Sequence, residues 1–224
     1  MGTHKIKAIC FDYYGTLTDA GQPFITLKNW FAKALEATNP QVNPDAFNMQ
    51  FTRQRAALSA GESFLPGYVI LEKSFINTCR KYKVFLDVSS FNRFAAQLFT
   101  GCSAFQDAKR IINTIKNKYS LGLITNADNR FLYTNIAENR FHFTHVISSE
   151  TVRCNKPRPE IFLAALEKFK LPPDTVLMVG DSLTEDIFPA AALGMQTVWI
   201  NRRNMEIPKG VRSVSTLENI KTYL

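Results

Sequence analysis

The segment Ile6-Lys7-Ala8-Ile9-Cys10-Phe11-Asp12-Tyr13-Tyr14-Gly15-Thr16-Leu17 decides the fold. Its first half is short and mostly apolar, and it reads as a strand buried on both faces of a parallel sheet. The run stops at Asp12. A carboxylate at the end of a buried strand is costly unless it is paired or hydrogen-bonded. Gly15 permits a tight backbone approach, and the amides that follow can face an anion. A strand ended by Asp and a glycine turn is also common where there is no site. Alone, the segment weighs equally towards chemistry and towards architecture.

Working outward, similar apolar runs recur at Leu121–Thr125, Val146–Ser148, Val176–Val179 and Thr197–Ile200. Helical spacing lies between them, as in Ala108, Ile111, Ile112 and Ile115, or Ile161, Ala164, Ala165 and Phe169. Alternating strands and helices predict an α/β chain with a Rossmann-like, doubly wound parallel sheet. In such sheets ligands bind beyond the C-terminal strand ends, where the strand order reverses.

One stretch breaks the alternation. Leu27, Trp30, Phe31, Ala34 and Leu35 mark a helix, and Phe47, Phe51, Ala57 and Leu58 a second. Val69, Ile70, Phe75 and Ile76 mark a third, and Phe91, Phe94, Ala95 and Leu98 a fourth. Breaks fall near Asn39-Pro40, Gly61 and Pro66-Gly67. About eighty residues of helix are too long for a loop and predict an inserted α-helical domain. The expected division is a core of residues 1–19 and 102–224 and a helical cap of residues 20–101.

Composition narrows the function. The 224 residues are 46% hydrophobic and 21% charged, enough for a sizeable core. No window approaches the roughly 18 apolar residues of a membrane span. Met1-Gly2-Thr3-His4-Lys5 runs straight into an apolar strand without the regions of a secretory signal, so a cytoplasmic location is expected. Cys10, Cys79, Cys102 and Cys154 have no metal-type spacing. The net charge of +8 is compatible with nucleic acid or an anionic small-molecule substrate, but the basic residues are scattered beyond pairs such as Arg202-Arg203, which favours an ordinary solvated basic surface over nucleic-acid binding. A monomer or a homodimer is expected, with Phe24 and Trp30 as candidate interface residues.

Three further segments follow strands. Leu123-Ile124-Thr125-Asn126 places a hydroxyl and an amide at a strand end, where they can hold a substrate oxygen or simply cap a helix. In Asn155-Lys156-Pro157-Arg158-Pro159 the prolines stiffen the backbone around Lys156, which can neutralise Asp12 and a bound anion. Val179-Gly180-Asp181-Ser182-Leu183-Thr184-Glu185-Asp186 adds carboxylates after another apolar run. Asp12 and Asp181 offer hard oxygen ligands for Mg²⁺, and Asp186 can support that metal or hold Lys156. The alternative for Glu185 and Asp186 is ordinary acidic charge at a helix N-terminus.

All four segments in this order resemble the haloacid dehalogenase (HAD) superfamily over nearly the whole chain. Asp12-x-Tyr14-Gly15-Thr16-Leu17 resembles motif one, Thr125 motif two, Lys156 motif three, and Gly180-Asp181-Ser182-x-x-x-Asp186 motif four. The inserted helices resemble the C1-type cap of subfamily I. The resemblance implies Asp12 as covalent nucleophile and Thr125 and Lys156 on the reacting charge. It also implies Gly15, Thr16 and Asn126 around the substrate, a metal held by Asp12, the Tyr14 carbonyl, Asp181 and Asp186, and cap opening as a gate.

Two motifs pull apart. Phosphatases of this superfamily carry a second Asp two residues after the nucleophile, as acid and then base; this chain has Tyr14. Tyrosine, with a pKa of about 10, is a poor base at neutral pH. Asp-x-Tyr-Gly-Thr resembles the L-2-haloacid dehalogenases, whose halide leaving group needs no proton. Motif four resembles the phosphatases, and Phe162 stands where the dehalogenases carry a tyrosine. Arg53 or Arg55 of the cap is the candidate for a substrate carboxylate, with an exposed helix face as the alternative. An unpaired Asp181 would repel a haloacid, whereas Mg²⁺ reconciles it with a phosphoryl group. The expected function is therefore a Mg²⁺-dependent phosphatase acting on a small phosphorylated metabolite. A metal-independent L-2-haloacid dehalogenase is the alternative, and a catalytically weak binding protein of the same fold a third possibility.

Overall fold

The computed structural model describes residues 5–19, 21–59, 61 and 63–224, with the side chains of residues 22 and 23 left aside. The Met1-to-His4 segment and Glu62 therefore lie outside the described residues. Strand β1 (Ala8–Phe11) is buried along its whole length. Strands β2 (Ser120–Thr125), β3 (His145–Ser148), β4 (Val176–Gly180), β5 (Gln196–Ile200) and β6 (Ser213–Val214) complete a parallel sheet in the order β3-β2-β1-β4-β5-β6.

The direction of winding reverses at the β1–β4 pair, where Phe11 lies in register with Val179. Asp12 and Asp181 thus leave neighbouring strands at the reversal, the position at which such sheets bind ligands. Alternate β1 residues serve opposite layers. Ile9 and Phe11 pack with helix α5 (Gln106–Ile115) and α6 (Asn129–Glu138) on one face. Ala8 and Cys10 pack with α8 (Pro159–Phe169) and α9 (Phe188–Ala192) on the other, α7 (Ser149–Val152) being a short turn after β3. Burial pushes the Cys10 thiol up to about 12, so it behaves as a small core residue.

Helices α1 (Gly21–Thr38), α2 (Pro44–Ser59), α3 (Gly67–Tyr82) and α4 (Val88–Thr100) hold a core of their own. Phe31 is surrounded there by Phe47, Phe51, Phe75 and Phe91, the last two stacked at 4.1 Å. Trp30, partly buried, stacks on Phe94 in the same cluster. Phe24 instead carries the Arg55 guanidinium, 4.4 Å above its ring.

The two connections to this helical unit run side by side. Thr18 bridges Ala104 in antiparallel fashion, Asp19 N donates to the Ser103 carbonyl, and Phe105 N donates to that of Leu17. Buried amides on α6 and at its C-cap lock the return connection: Asn135 donates to the Thr100 and Cys102 carbonyls, and Asn139 accepts from Ala104 N.

Two local elements lie outside the sequence reading, and a third closes the chain. Strand β6 is only two residues long and carries no apolar run. Helix α6 is absent from the reading because Asn129-Arg130 and Thr134-Asn135 interrupt its apolar stripe; Asn135 is buried for its hydrogen bonds, not its hydrophobicity. The C-terminal Leu217–Tyr223 segment is a 3₁₀ helix, pinned where Leu217 N donates to Asp107. Among the described residues no helix is long and apolar enough to cross a membrane.

Candidate active site

Asp12 continues the sheet ladder one residue past β1, its N–H donating to the Val179 carbonyl at 2.9 Å. The residue is 6% exposed. Lys156, 4% exposed, donates through Nζ to Asp12 Oδ1 at 2.7 Å and to Asp186 Oδ1 at 2.5 Å. Burial alone would lower the Lys156 pKa, but the Asp12 and Asp186 carboxylates outweigh it and hold the ammonium above its ordinary value.

The Lys156 backbone is held as firmly as its head group. Asn126, just after β2, accepts from Lys156 N at 2.7 Å and donates to the Lys156 carbonyl at 3.1 Å. The same amide nitrogen also donates to Glu185 at 3.3 Å. Both polar ends of Asn126 are therefore engaged within the protein, although the sequence places it among the substrate ligands. Thr125 is buried at the C-terminal end of β2, paired with Ser148.

Asp186 lies in a π-helical turn (Leu183–Ile187), where its Oδ2 accepts from Ser182 N at 3.0 Å. Gly180 makes that approach possible, since a Cβ there would fall 2.2 Å from Asp186 Oδ2. Gly15 plays the same part for Asp181. Its φ of +98° suits glycine, and an added Cβ would lie 2.7 Å from Asp181 Oδ2. Thr16 donates its hydroxyl to Asp181 Oδ1 at 3.2 Å, and Trp199 donates its indole N–H to the Asp181 carbonyl at 2.8 Å.

One carboxylate oxygen from each of Asp12, Asp181 and Asp186 lies within 4.8 Å of the others. With Lys156 as their bonded cation, three carboxylates against one ammonium leave two negative charges over when all are ionised. Burial and the Asp12 charge push Asp181 up to about 6. Burial also raises Asp186, against the attraction of Lys156 and with the Asp12 charge adding to it. A hard divalent cation fits this donor set and would cancel the excess. A cavity of about 390 Å³ opens beside the cluster, lined in part by Gly15, Asp181, Ile25, Trp199, Arg202 and Met205.

Tyr14 follows a different path from these groups. Its hydroxyl donates to the Phe99 carbonyl at 3.2 Å, and its ring meets Phe99 edge-on. Burial raises its pKa far above the ordinary phenol value, with Cys102 and the carboxylates adding to the shift. Arg53 is exposed on α2, and Arg55 is occupied over Phe24; no described contact brings either to Asp12. Phe162 is buried beneath the sheet. Two residues beyond the sequence reading shape the site. Trp199 supports Asp181, and Arg202 donates to the Thr16 carbonyl while pairing twice with Asp107. An Arg-Arg pair was legible in the chain; its partner Asp107 was not.

A family model described as haloacid dehalogenase-like hydrolase matches residues 6–194. The chain belongs to that family of hydrolases. It is 31% identical over 129 residues to the pyrimidine 5'-nucleotidase YjjG of Escherichia coli (strain K12), spanning 55% of this chain and only 57% of the nucleotidase. The solved L-2-haloacid dehalogenase RSc1362 superposes with a TM-score of 0.76, 20% identity and 98% of each chain covered. The HAD hydrolase YfnB of Bacillus subtilis, solved bound to magnesium, gives 0.77 at 18% identity, with 98% of this chain and 99% of that one covered. At these identities the two solved structures establish the fold alone.

Proposed function

We propose that this HAD-family hydrolase is a Mg²⁺-dependent phosphatase acting on a small anionic phosphorylated metabolite. The observation that carries the reading is Asp181, whose carboxylate joins Asp12 and Asp186, to which, among the described residues, Lys156 alone is bonded as counter-ion. A halide displacement has no use for that extra charge, and an unpaired Asp181 would repel a haloacid. Asp12, Asp181 and Asp186, with the Tyr14 carbonyl, would hold the ion. When bound, it would offset phosphoryl charge and polarise the phosphorus.

The protein's own groups supply the rest. Lys156 engages Asp12 Oδ1, orienting Oδ2 for attack on phosphorus. Attack forms an acyl phosphate on Asp12 and expels the leaving oxygen with its electron pair; water then opens the aspartyl phosphate and releases inorganic phosphate. Thr125 and Lys156 face the reacting charge in this reading. The leaving oxygen must take its proton from solvent, because the Tyr14 hydroxyl is tied to Phe99 and shifted away from titration. Missing acid–base catalysis costs about 10²–10⁴-fold on poor leaving groups, so acyl phosphates are favoured substrates.

Tyr14 is also the observation that favours the second reading, an L-2-haloacid dehalogenase in which Asp12 displaces halide from carbon. One set of assays separates the two. Phosphate release from acetyl phosphate and p-nitrophenyl phosphate, present with Mg²⁺ and lost with EDTA, is the expected result. EDTA-insensitive phosphate release overturns the metal assignment. Chloride release from L-2-chloropropionate that disappears in Asp12→Asn establishes the dehalogenase. Silence in every arm favours a binding protein.

A further inference from the structure

Helix α3 lacks a cap of its own. Pro66 stands at its N-cap position and makes no side-chain cap hydrogen bond. Helix α6 has the opposite arrangement. Asp128 occupies its N-cap position, a favoured residue there, yet makes no cap bond to its own helix. The Asp128 carboxylate reaches across instead, accepting from Gly67 N at 2.7 Å through Oδ1 and from Tyr68 N at 2.7 Å through Oδ2. Helix α6 is served in turn by Glu150, which accepts from Asn129 N. The core thus provides the N-cap of a helix that belongs to the inserted unit.

Several details fit this exchange. Asp128 is only 7% exposed, and it takes hydrogen bonds from two α3 amides; burial still outweighs them and holds its carboxyl above the ordinary value. Gly67 has no room for a side chain, since a Cβ would lie 2.9 Å from Asp128 Oδ2. Arg130 covers the Tyr68 ring at 4.2 Å, and Phe131 stacks on Phe99 of α4. The location matters most. Asp128 stands two residues after Asn126, the residue that brackets Lys156. One loop therefore grips the lysine at one end and the helical unit at the other.

We propose that Asp128 is a positioning residue that latches the helical unit over the carboxylate cluster, coupling closure of that unit to the loop that aims Lys156. Opening would break two charge-assisted hydrogen bonds and leave both α3 and Asp128 to water. The latch does not depend on which atom Asp12 attacks, so it is tested without a substrate.

The four native cysteines are buried. Exposed positions Ala56 on α2 and Glu167 on α8 accept cysteine-linked spin labels, one on each unit. Pulsed electron–electron resonance on the whole labelled protein should give one narrow distance with Asp128 intact. Asp128→Ala should raise the open-to-closed ratio about tenfold and add a longer distance, because α3 loses its charged cap and the two units lose the bonds between them. Gly67→Ala should reproduce the shift from the other side of the contact. Asp128→Asn, which keeps one acceptor oxygen and the volume, should fall between. Circular dichroism confirms that each variant is folded. Superimposable distances in folded Gly67→Ala, Asp128→Asn and the parent overturn the latch.

Discussion

Asn126 brackets the backbone of Lys156, accepting from its N–H at 2.7 Å and donating to its carbonyl at 3.1 Å. The ammonium that touches Asp12 is therefore aimed by a side chain thirty residues earlier in the chain. Asn126→Ala should lower kcat by roughly 10²-fold, the scale on which small misplacements at a reacting centre act. Asn126→Asp should be worse, because it turns a donor towards the Lys156 carbonyl and Glu185 into a second acceptor. Steady-state kinetics beside a melting curve checks both; an unaltered kcat in Asn126→Ala removes the positioning role.

Lys156 is also structural. Replacing it with Met leaves Asp12 and Asp186 buried without their bonded cation, at a cost of about 3–5 kcal/mol. Urea unfolding at neutral pH should register that loss, and adding Asp186→Asn to Lys156→Met should recover part of it. A Lys156→Met protein as stable as the parent would mean that the carboxylates are compensated elsewhere.

Asp181 separates the two chemistries. Asp181→Asn removes one of the two uncompensated negative charges beside Asp12 and should weaken Mg²⁺ binding by about tenfold or more. Titration calorimetry with MgCl₂ measures this directly. Equal Mg²⁺ affinity in Asp181→Asn and parent would remove Asp181 from the ligand set.

The Asp107–Arg202 pair ties α5 to the end of β5 and, through the Thr16 carbonyl, to the turn after the nucleophile. Burial alone would raise the Asp107 pKa, but hydrogen bonds from Arg202 and Leu217 N bring it below the usual 3.8. The unfolded chain then takes up this proton first as pH falls. The stabilisation is present above about pH 3.8 and is lost as pH drops through the folded value. Asp107→Asn should melt lower than the parent at pH 7, with the gap closing as the pH falls below 3.8. A gap independent of pH would assign the effect to packing rather than charge.

Much of the site was legible because its signals are local. An apolar run that stops at a carboxylate, as at Phe11-Asp12 or Val179-Gly180-Asp181, declares a strand end by itself. The pairing of β1 with β4 then brings the carboxylates together without further instruction. The inserted helices were legible for the same reason, each carrying its own apolar stripe. Helix α6 was not, because Asn135 and Asn139 are buried by what they bond, and a polar residue in sequence does not announce its partner. Arg53 and Arg55 have the opposite problem. Their chemistry suits a carboxylate and their spacing suits an exposed helix face equally; Arg53 is exposed and Arg55 lies over Phe24, which leaves the choice open.

By itself the sequence determined the α/β class, the strands that carry Asp12, Thr125 and Asp181, and the loop that carries Lys156. These follow from periodicity and turn chemistry within a few residues of each position. Only the tertiary structure decided that Asn126 serves Lys156, that Tyr14 bonds Phe99, and that Asp128 caps α3 instead of its own helix. A hydrogen-bond donor or acceptor has the same chemistry whichever partner it meets. The partner is selected when the sheet closes and the helical unit docks, bringing together residues thirty or more positions apart.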